Sequence, residues 1–393
     1  HVLGTNLRKP AVRRALKALQ FDYREEPKRQ FTVSAPTYRP DLTREIDLIE
    51  EVARLHGFNN IPTSLPLSPL AEHSPPTHRP LECRLREVLV ACGLAEAISY
   101  SFINPLWIEH LGLDRNAPRG RPVPLSNPLS GEQSVLRTML LPGLLDSLQR
   151  NISRQQTSSK LFEYGTVFIA AAQNQKQSEA QPAEERHLAL AICGARQALS
   201  WTSQREMVNF FDIKGIVEQM ASAFQVSSLA LEPTEETFLH PQRALAIRCG
   251  GTAIGVLGEM HPDVLDRFDL PVGVFVLELQ IKPFFAASTP VPTFTEAPRY
   301  PASQRDLAIL VGESLPAAEV EAAIRKIAPV WLREITLFDS YRGKSIPAGK
   351  KSLAYSLTFQ TSERTLTDAE VNEQFEAILA SLSKQFQATL RPA

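Results

Sequence analysis

The clearest pattern of apolar and polar positions lies toward the C-terminal end. Leu307, Ile309 and Val311 alternate with polar neighbours and predict a strand, as do Leu353, Tyr355, Leu357 and Phe359. Between them, Val320, Ala323, Ile324 and Ile327 recur at helical spacing, and LREITLFDSYR reads as another strand. A final helix is predicted to start at Thr367, where Glu370 completes a capping box, and turns Val371, Phe375, Ile378 and Leu382 inward. With ATLR as a closing strand, the order is β-α-β-β-α-β, that of a ferredoxin-like sandwich.

The middle of the chain mixes both periods. LECRLREVLVACGL and FFDIKGIVEQMASAF read as helices, and KLFEYGTVFIA, RHLALAICG and VGVFVLELQI as strands. Gly250 and Gly251 interrupt ALAIRCGGTAIGVLGEM, which predicts a hairpin with a two-residue turn and hence an antiparallel sheet. Near the front, Val12, Leu16 and Leu19 share a helical stripe, RQFTVSAP is strand-like, and an acidic helix follows: a small α+β unit. Two proline-rich stretches, Ile61 to Pro80 and Lys282 to Pro301, read as linkers. The Gln-rich stretch Ala171 to Arg186 lacks apolar periodicity and is expected to be a mobile surface loop between two strands.

At 393 residues the chain is long enough for two to four domains. Lys plus Arg (42) and Asp plus Glu (43) nearly balance, so no global field announces a nucleic acid or membrane and any RNA contact must be local. Cys83, Cys92, Cys193 and Cys249 show no CxxC spacing, which argues against a zinc ribbon or a disulfide framework and suits a reducing cytoplasm. No apolar run approaches the roughly 18 residues of a membrane span. The chain starts at His1 rather than Met, which predicts a fragment of a longer polypeptide.

No HExxH, P-loop, GxSxG or glycine-rich dinucleotide turn is present. Two local features remain. In PDLTREIDLIEEVARLHGF, Asp41 reads as an N-cap and Gly57 as a C-terminal stop, with Leu42, Ile46, Ile49, Val52 and Ala53 as the buried stripe. At about 100° per residue, Asp47, Glu50 and Glu51 then crowd one third of the helix, with Asp41 at its start. Carboxylates so placed suit a hard cation such as Mg²⁺. On spacing alone they better suit a salt-laced solvated face, the commoner case, with Arg44 pairing Asp41 or Asp47 and Arg54 pairing Glu50 or Glu51. In FDSYRGKSIPAGKKSL, Arg342, Lys344, Lys350 and Lys351 follow Tyr341 with no intervening acid. An aromatic beside cations is a single-stranded RNA pattern, with Asp339 on the same strand face able to read a base edge. An ordinary hairpin loop is the alternative.

The stretches APTYRPDLTREIDLIEEVARLHGFNNIP, SNPLSGEQSVLRTMLLPGLLDSLQRN, FFDIKGIVEQM, GVLGEMHPDVLDRFDLP, YPASQRDLAILV and LFDSYRGKSIPAGKKSLAYSLTFQ closely resemble the bacterial phenylalanyl-tRNA synthetase beta subunit, in order and over nearly the whole chain. The resemblance implies three domains. Residues 1–66 would be a small α+β domain with a magnesium site at Asp41, Asp47, Glu50 and Glu51. Residues 67–285 would be a catalytically inactive class II synthetase-like domain with an antiparallel sheet, and 299–393 a ferredoxin-fold anticodon-binding domain. It further implies a cytoplasmic ligase that uses ATP to attach phenylalanine to tRNA(Phe), in an assembly of two alpha and two beta subunits with ATP and phenylalanine held by alpha. The tRNA contacts it implies are Asp339, Tyr341, Arg342, Lys344, Lys350 and Lys351.

One departure supports an inactive core. Class II sites grip ATP phosphates with forked arginines. Here LFEYGTVF carries Glu163 where Arg would be expected, and VGVFVLELQIKPF lacks a terminal Arg. The chain is therefore not expected to adenylate phenylalanine alone. The family's oligonucleotide-binding and editing modules are not visible before His1. A non-catalytic RNA-binding or assembly protein with the same domains is the competing reading. A freestanding metalloenzyme lacks a nucleophile or base beside the acidic helix.

Overall fold

A computed structural model describes residues 2–27, 30–63, 78–170, 181–202, 204–289, 291–294, 296–328, 330–343 and 346–391. It divides into two compact units, His1–Glu82 and Cys83–Ala393.

In the first unit, α1 (Lys9–Ala18) precedes two antiparallel strands, β1 (Asp22–Glu25) and β2 (Phe31–Ser34), and then α2 (Glu45–His56). Ala15, Leu16, Phe21, Val52 and Ala53 are its buried apolar residues. Gly57 ends α2 at φ 92°, its amide reaching Ala53 O at 3.0 Å, a backbone turn that suits glycine. The start of α2 differs from expectation. The helix begins at Glu45, not at Asp41, and Ile46 is 42% exposed instead of lying on the buried stripe. Asp47 is the cause: its Oδ2 accepts the amides of Thr43 at 3.0 Å and Arg44 at 2.7 Å, which satisfies amides at the helix start and fixes the first turn there.

Helix α3 (His78–Ala91) leads to β3 (Ala95–Glu96), β4 (Phe102–Ile103), α4 (Leu106–His110), β5 (Val135–Leu136) and α5 (Leu141–Ser153). There follow β6 (Ser159–Ile169), β7 (Ala183–Cys193), α6 (Phe210–Ala223), β8 (Leu229–Pro233), β9 (Leu239–Cys249), β10 (Thr252–Met260), α7 (Pro262–Arg267), β11 (Phe275–Gln280) and α8 (Ile281–Ala286). A seven-stranded sheet runs β3-β6-β7-β11-β10-β9-β8, antiparallel except where β3 meets β6. Leu144 and Leu148 of α5 pack with Ala189, Ala191 and Val276 in the core on this sheet. The β9–β10 turn is the expected one: Gly250 and Gly251 both take positive φ, and Cys249 faces Thr252.

Two boundaries move. Ala183–Arg186, expected in the loop, belong to β7, because the ladder with β6 runs on to Ile169–Ala183 and its backbone hydrogen bonds override the polar side chains; residues 171–180 lie outside the described residues. The linkers are also shorter than composition suggests. Pro80 lies in the first turn of α3 and Pro283 in that of α8, where the missing amide would have no partner within the helix.

The last part is β12 (Ser303–Gly312), α9 (Ala317–Ile327), β13 (Leu332–Tyr341), β14 (Lys350–Phe359), α10 (Asp368–Phe386) and β15 (Thr389–Leu390). Its sheet order is β13-β14-β12-β15, all neighbours antiparallel, which is the ferredoxin-like arrangement. Leu307, Ile309, Val311, Leu353, Tyr355, Leu357 and Phe359 pack against Val320 and Ile324 of α9 and Val371, Ile378 and Leu382 of α10. Both helices therefore cover one face. Thr367 and Glu370 form the expected capping box. No helix among the described residues is long and apolar enough to cross a membrane.

Candidate nucleic-acid interface and acidic helix

Side chains on a strand alternate, so residues out of phase with Leu353 and Tyr355 lie on the helix-free face of the ferredoxin-like sheet. The ladder sets Asp339 opposite Ala354 and Tyr341 opposite Ser352, which places both candidates on that face, beyond a bulge between Leu337 and Asp339. Asp339 is exposed and Tyr341 is 39% exposed. The guanidinium of Arg391, just after β15, lies 5.3 Å from the Tyr341 ring centroid. Ser352 is buried, and its Oγ has no hydrogen-bond partner among the described residues. A buried hydroxyl left unpaired is costly. A Cβ at Gly343 would collide with the Tyr341 hydroxyl, so a side chain there would push the ring aside.

The cations separate. Arg342 is exposed, 3.6 Å from Glu313. Lys350 is half-buried beside Gly312 on the open face. Lys351 is in phase with Leu353 and is only 8% exposed; burial, and then Arg342, hold its ammonium below the usual lysine range. Lys351 therefore does not offer its ammonium to a phosphate on the open face, contrary to expectation. Lys344 lies outside the described residues. Arg391 and Ser352 were not singled out in the sequence. Only the alternation through Lys350 and the arginine after ATL pointed to them.

On the acidic helix the four carboxylates have different fates. Arg39 forks onto Asp41 at 2.7–3.2 Å and reaches Glu51 Oε1 at 2.8 Å, while Arg54 bonds Glu51 Oε2. Hydrogen bonds from Arg39 hold Asp41 below the usual carboxylate range, and those from Arg39 and Arg54 do the same for Glu51. Asp47 is lowered by the amides of Arg44 and Thr43. Glu50 is exposed. Among the described residues no group of three or more His, Cys, Asp or Glu side chains could hold a metal ion. Carboxylate oxygens suit Mg²⁺ chemically, but as they stand these do not fit one, because Arg39 already supplies the positive charge joining Asp41 to Glu51.

In the larger sheet, the departure at Glu163 has a structural partner. Arg137 Nη1 meets Glu163 Oε1 at 2.6 Å, Ser99 Oγ donates to Oε2 at 2.7 Å, and Arg137 Nε donates to Thr166 O at 2.8 Å. Beside this network a groove is lined by Ile98, Tyr100, Phe102, Trp107, Asp146 and Arg150, with Ile98 89% and Tyr100 75% exposed. On the same sheet, buried Glu278 accepts the amides of Leu140 and Leu141 at the start of α5 and bonds His187 Nδ1 at 3.0 Å. His187 Nε2 also reaches Glu185 Oε2 at 3.4 Å, on a side chain 42% exposed, so this second network leads to the surface.

Family models place these features together. Residues 1–58 match the tRNA synthetase B5 domain, 61–281 the phenylalanyl tRNA synthetase beta chain CLM domain, and 298–391 the ferredoxin-fold anticodon binding domain. The phenylalanine--tRNA ligase beta subunit of Moorella thermoacetica is 41% identical over 392 residues, covering 100% of this chain and 48% of that protein. That of Syntrophotalea carbinolica is 38% identical over 363 residues, 92% of this chain and 44% of the relative. That of Pseudomonas syringae pv. syringae is 37% identical over 391 residues, 99% and 48%. The chain thus spans about half the length of the curated relatives it matches. With the CLM model covering more than half of its residues, the chain belongs to the phenylalanyl-tRNA synthetase beta-chain family.

Proposed function

We propose that this chain serves an ATP-dependent, cytoplasmic phenylalanine-tRNA ligase as part of its beta subunit. It binds the anticodon loop of tRNA(Phe) and joins an alpha subunit that holds ATP and phenylalanine, in a two-alpha, two-beta assembly. The carrying observation is the helix-free sheet face: an exposed tyrosine, an exposed carboxylate and an arginine over the tyrosine ring suit an unpaired base. Tyr341 stacks the base, Asp339 meets its edge, and Arg342, Lys344, Lys350 and Arg391 attend the phosphates. The division at 1–66, 67–285 and 299–393 goes with this reading, the middle part being an inactive class II-like core. Arg137, committed to Glu163, is not free to grip a phosphate. The apolar groove at Ile98, Tyr100 and Phe102 suits an alpha-subunit contact.

The experiment is Tyr341→Ala in the full beta chain assembled with alpha. Affinity for tRNA(Phe) should fall by roughly 1 to 3 kcal/mol, with adenylation unchanged; unchanged affinity removes the stacking role. No step passes through magnesium. A cation at Asp41, Asp47, Glu50 and Glu51 would take the place of Arg39. Calorimetry should therefore find tighter Mg²⁺ binding in Arg39→Ala than in wild type, and equal binding discards the metal reading.

A further inference from the structure

Glu278 on β11 holds the start of a helix that lies far ahead of it in sequence. Its oxygens stand 3.0 and 3.2 Å from the Leu140 amide and 3.0 Å from that of Leu141, the first residue of α5. At 5% exposure this carboxylate needs a counter-charge. Its one ionisable partner among the described residues is His187, 6% exposed, with Nδ1 at 3.0 Å. Glu185, on the same strand as His187, reaches Nε2 from the surface side. Most other charges carried by the surrounding elements answer one another. On β6, Gly165 opposite His187 leaves room for Arg137, which is bound to Glu163, and on α5 Asp146 pairs with Arg150. Lys282 of α8 is exposed, and Arg119 bonds Glu236 at 2.9 Å. His187, Glu278, Arg119 and Glu236 border one cavity of about 230 Å³, to which β10 brings only the uncharged Ala253 to Val256.

We infer that His187 and Glu278 form a proton-operated latch on the first turn of α5: a charged imidazole keeps the carboxylate on the helix start, and loss of its proton lets the carboxylate turn into the cavity and release the Leu140 and Leu141 amides. A buried carboxylate without a counter-charge is costly, and the cavity is polar and roomy enough for water to meet it there. Burial disfavours the imidazolium, but Glu278 and then Glu185 outweigh it and hold His187 above the ordinary histidine range. The grip is therefore complete below the ordinary histidine value, about pH 6.5, and is lost as pH rises through the raised one. Gly143, Asp146, Ser147 and Arg150 of α5 line the groove beside Tyr100, so the latch sets the order of one wall of that groove.

The test is hydrogen exchange in the intact enzyme between about pH 6 and 9, read by mass spectrometry on peptides across residues 139–148 and corrected for the intrinsic pH dependence of exchange. Protection there should fall about fivefold as pH rises, the gap between a charged and a neutral hydrogen bond, while peptides of α10 keep theirs. His187→Gln keeps the bulk but cannot take the charge, so it should show the released level at every pH. Glu278→Gln removes the carboxylate that the imidazolium answers and should abolish the step as well. Wild-type protection that is flat with pH, or a fall shared equally by α10, overturns the latch. So does a step that persists in either variant.

Discussion

Glu163→Gln tests the buried core of the larger sheet. Glu163 is 2% exposed and Arg137 5% exposed, with Nη1 and Oε1 2.6 Å apart. The amide keeps the shape and can still meet Ser99 Oγ, but it leaves a guanidinium without its counter-charge away from water. Removing one partner of a buried pair costs about 3–5 kcal/mol. Retained bonds from Arg137 to Ser99 Oγ at 3.1 Å and Thr166 O at 2.8 Å put this case near the lower end. At a urea m-value of about 3 kcal/mol/M, the unfolding midpoint should fall by about 1 M. The double variant Arg137→Met with Glu163→Leu removes both charges and should recover to within about 1 kcal/mol of wild type. Urea titration followed by tryptophan fluorescence and circular dichroism reads both. A single variant within about 1 kcal/mol of wild type, or a double variant less stable than the single, would refute the reasoning.

Ser352→Ala removes an unpartnered buried hydroxyl, so thermal unfolding should show stability held or raised by up to about 1 kcal/mol; a loss of more than about 1 kcal/mol would show that the hydroxyl is paired. Gly343→Ala should displace the Tyr341 ring and reproduce the affinity loss of Tyr341→Ala with thermal stability little changed, whereas wild-type binding would show that the ring position is immaterial. Asp41, Asp47 and Glu51 have folded-state pKa values below their ordinary ones, so their stabilisation is present above the ordinary carboxylate range, about pH 4, and fades as pH falls through the lowered values. Hydrogen exchange across residues 9–56 should therefore rise below about pH 4, and Arg39→Ala should lessen that dependence; pH-independent protection would contradict the pairing.

Where one physical term dominates, the sequence is transparent. The alternation of Leu353, Tyr355, Leu357 and Phe359 and the helical spacing of Val371, Ile378 and Leu382 are demands of one buried face, and all seven are buried. The Gly-Gly turn is equally legible, because few residues tolerate two successive positive φ angles. Boundaries governed by backbone hydrogen bonds were not legible. Polar Glu184 to Arg186 read as loop, yet their amides and carbonyls continue a ladder that side-chain pattern cannot report. The candidate site was half legible. Tyr341 and Asp339 share a face as their spacing requires, but Arg391 joins them through the strand order β14-β12-β15, which no local pattern carries.

The two candidate sites differ in what their polar groups still lack. On α2 and just ahead of it, three of four carboxylates have protein donors: Asp41 and Glu51 share Arg39, and Asp47 serves the helix start. Their charge is answered within the chain, so a dense acidic run creates no unmet demand. On the ferredoxin-like sheet, Asp339 is exposed with no ion pair among the described residues, and Tyr341 stands exposed on the same face. A carboxylate and an aromatic ring left open on one face can meet a ligand without displacing a protein partner. Counting charges along the sequence favours the helix as a ligand site, whereas unmet valence favours the sheet face. The residue that reverses the order is Arg39, which lies outside the helix and ahead of the proline, where helical periodicity gives it no role.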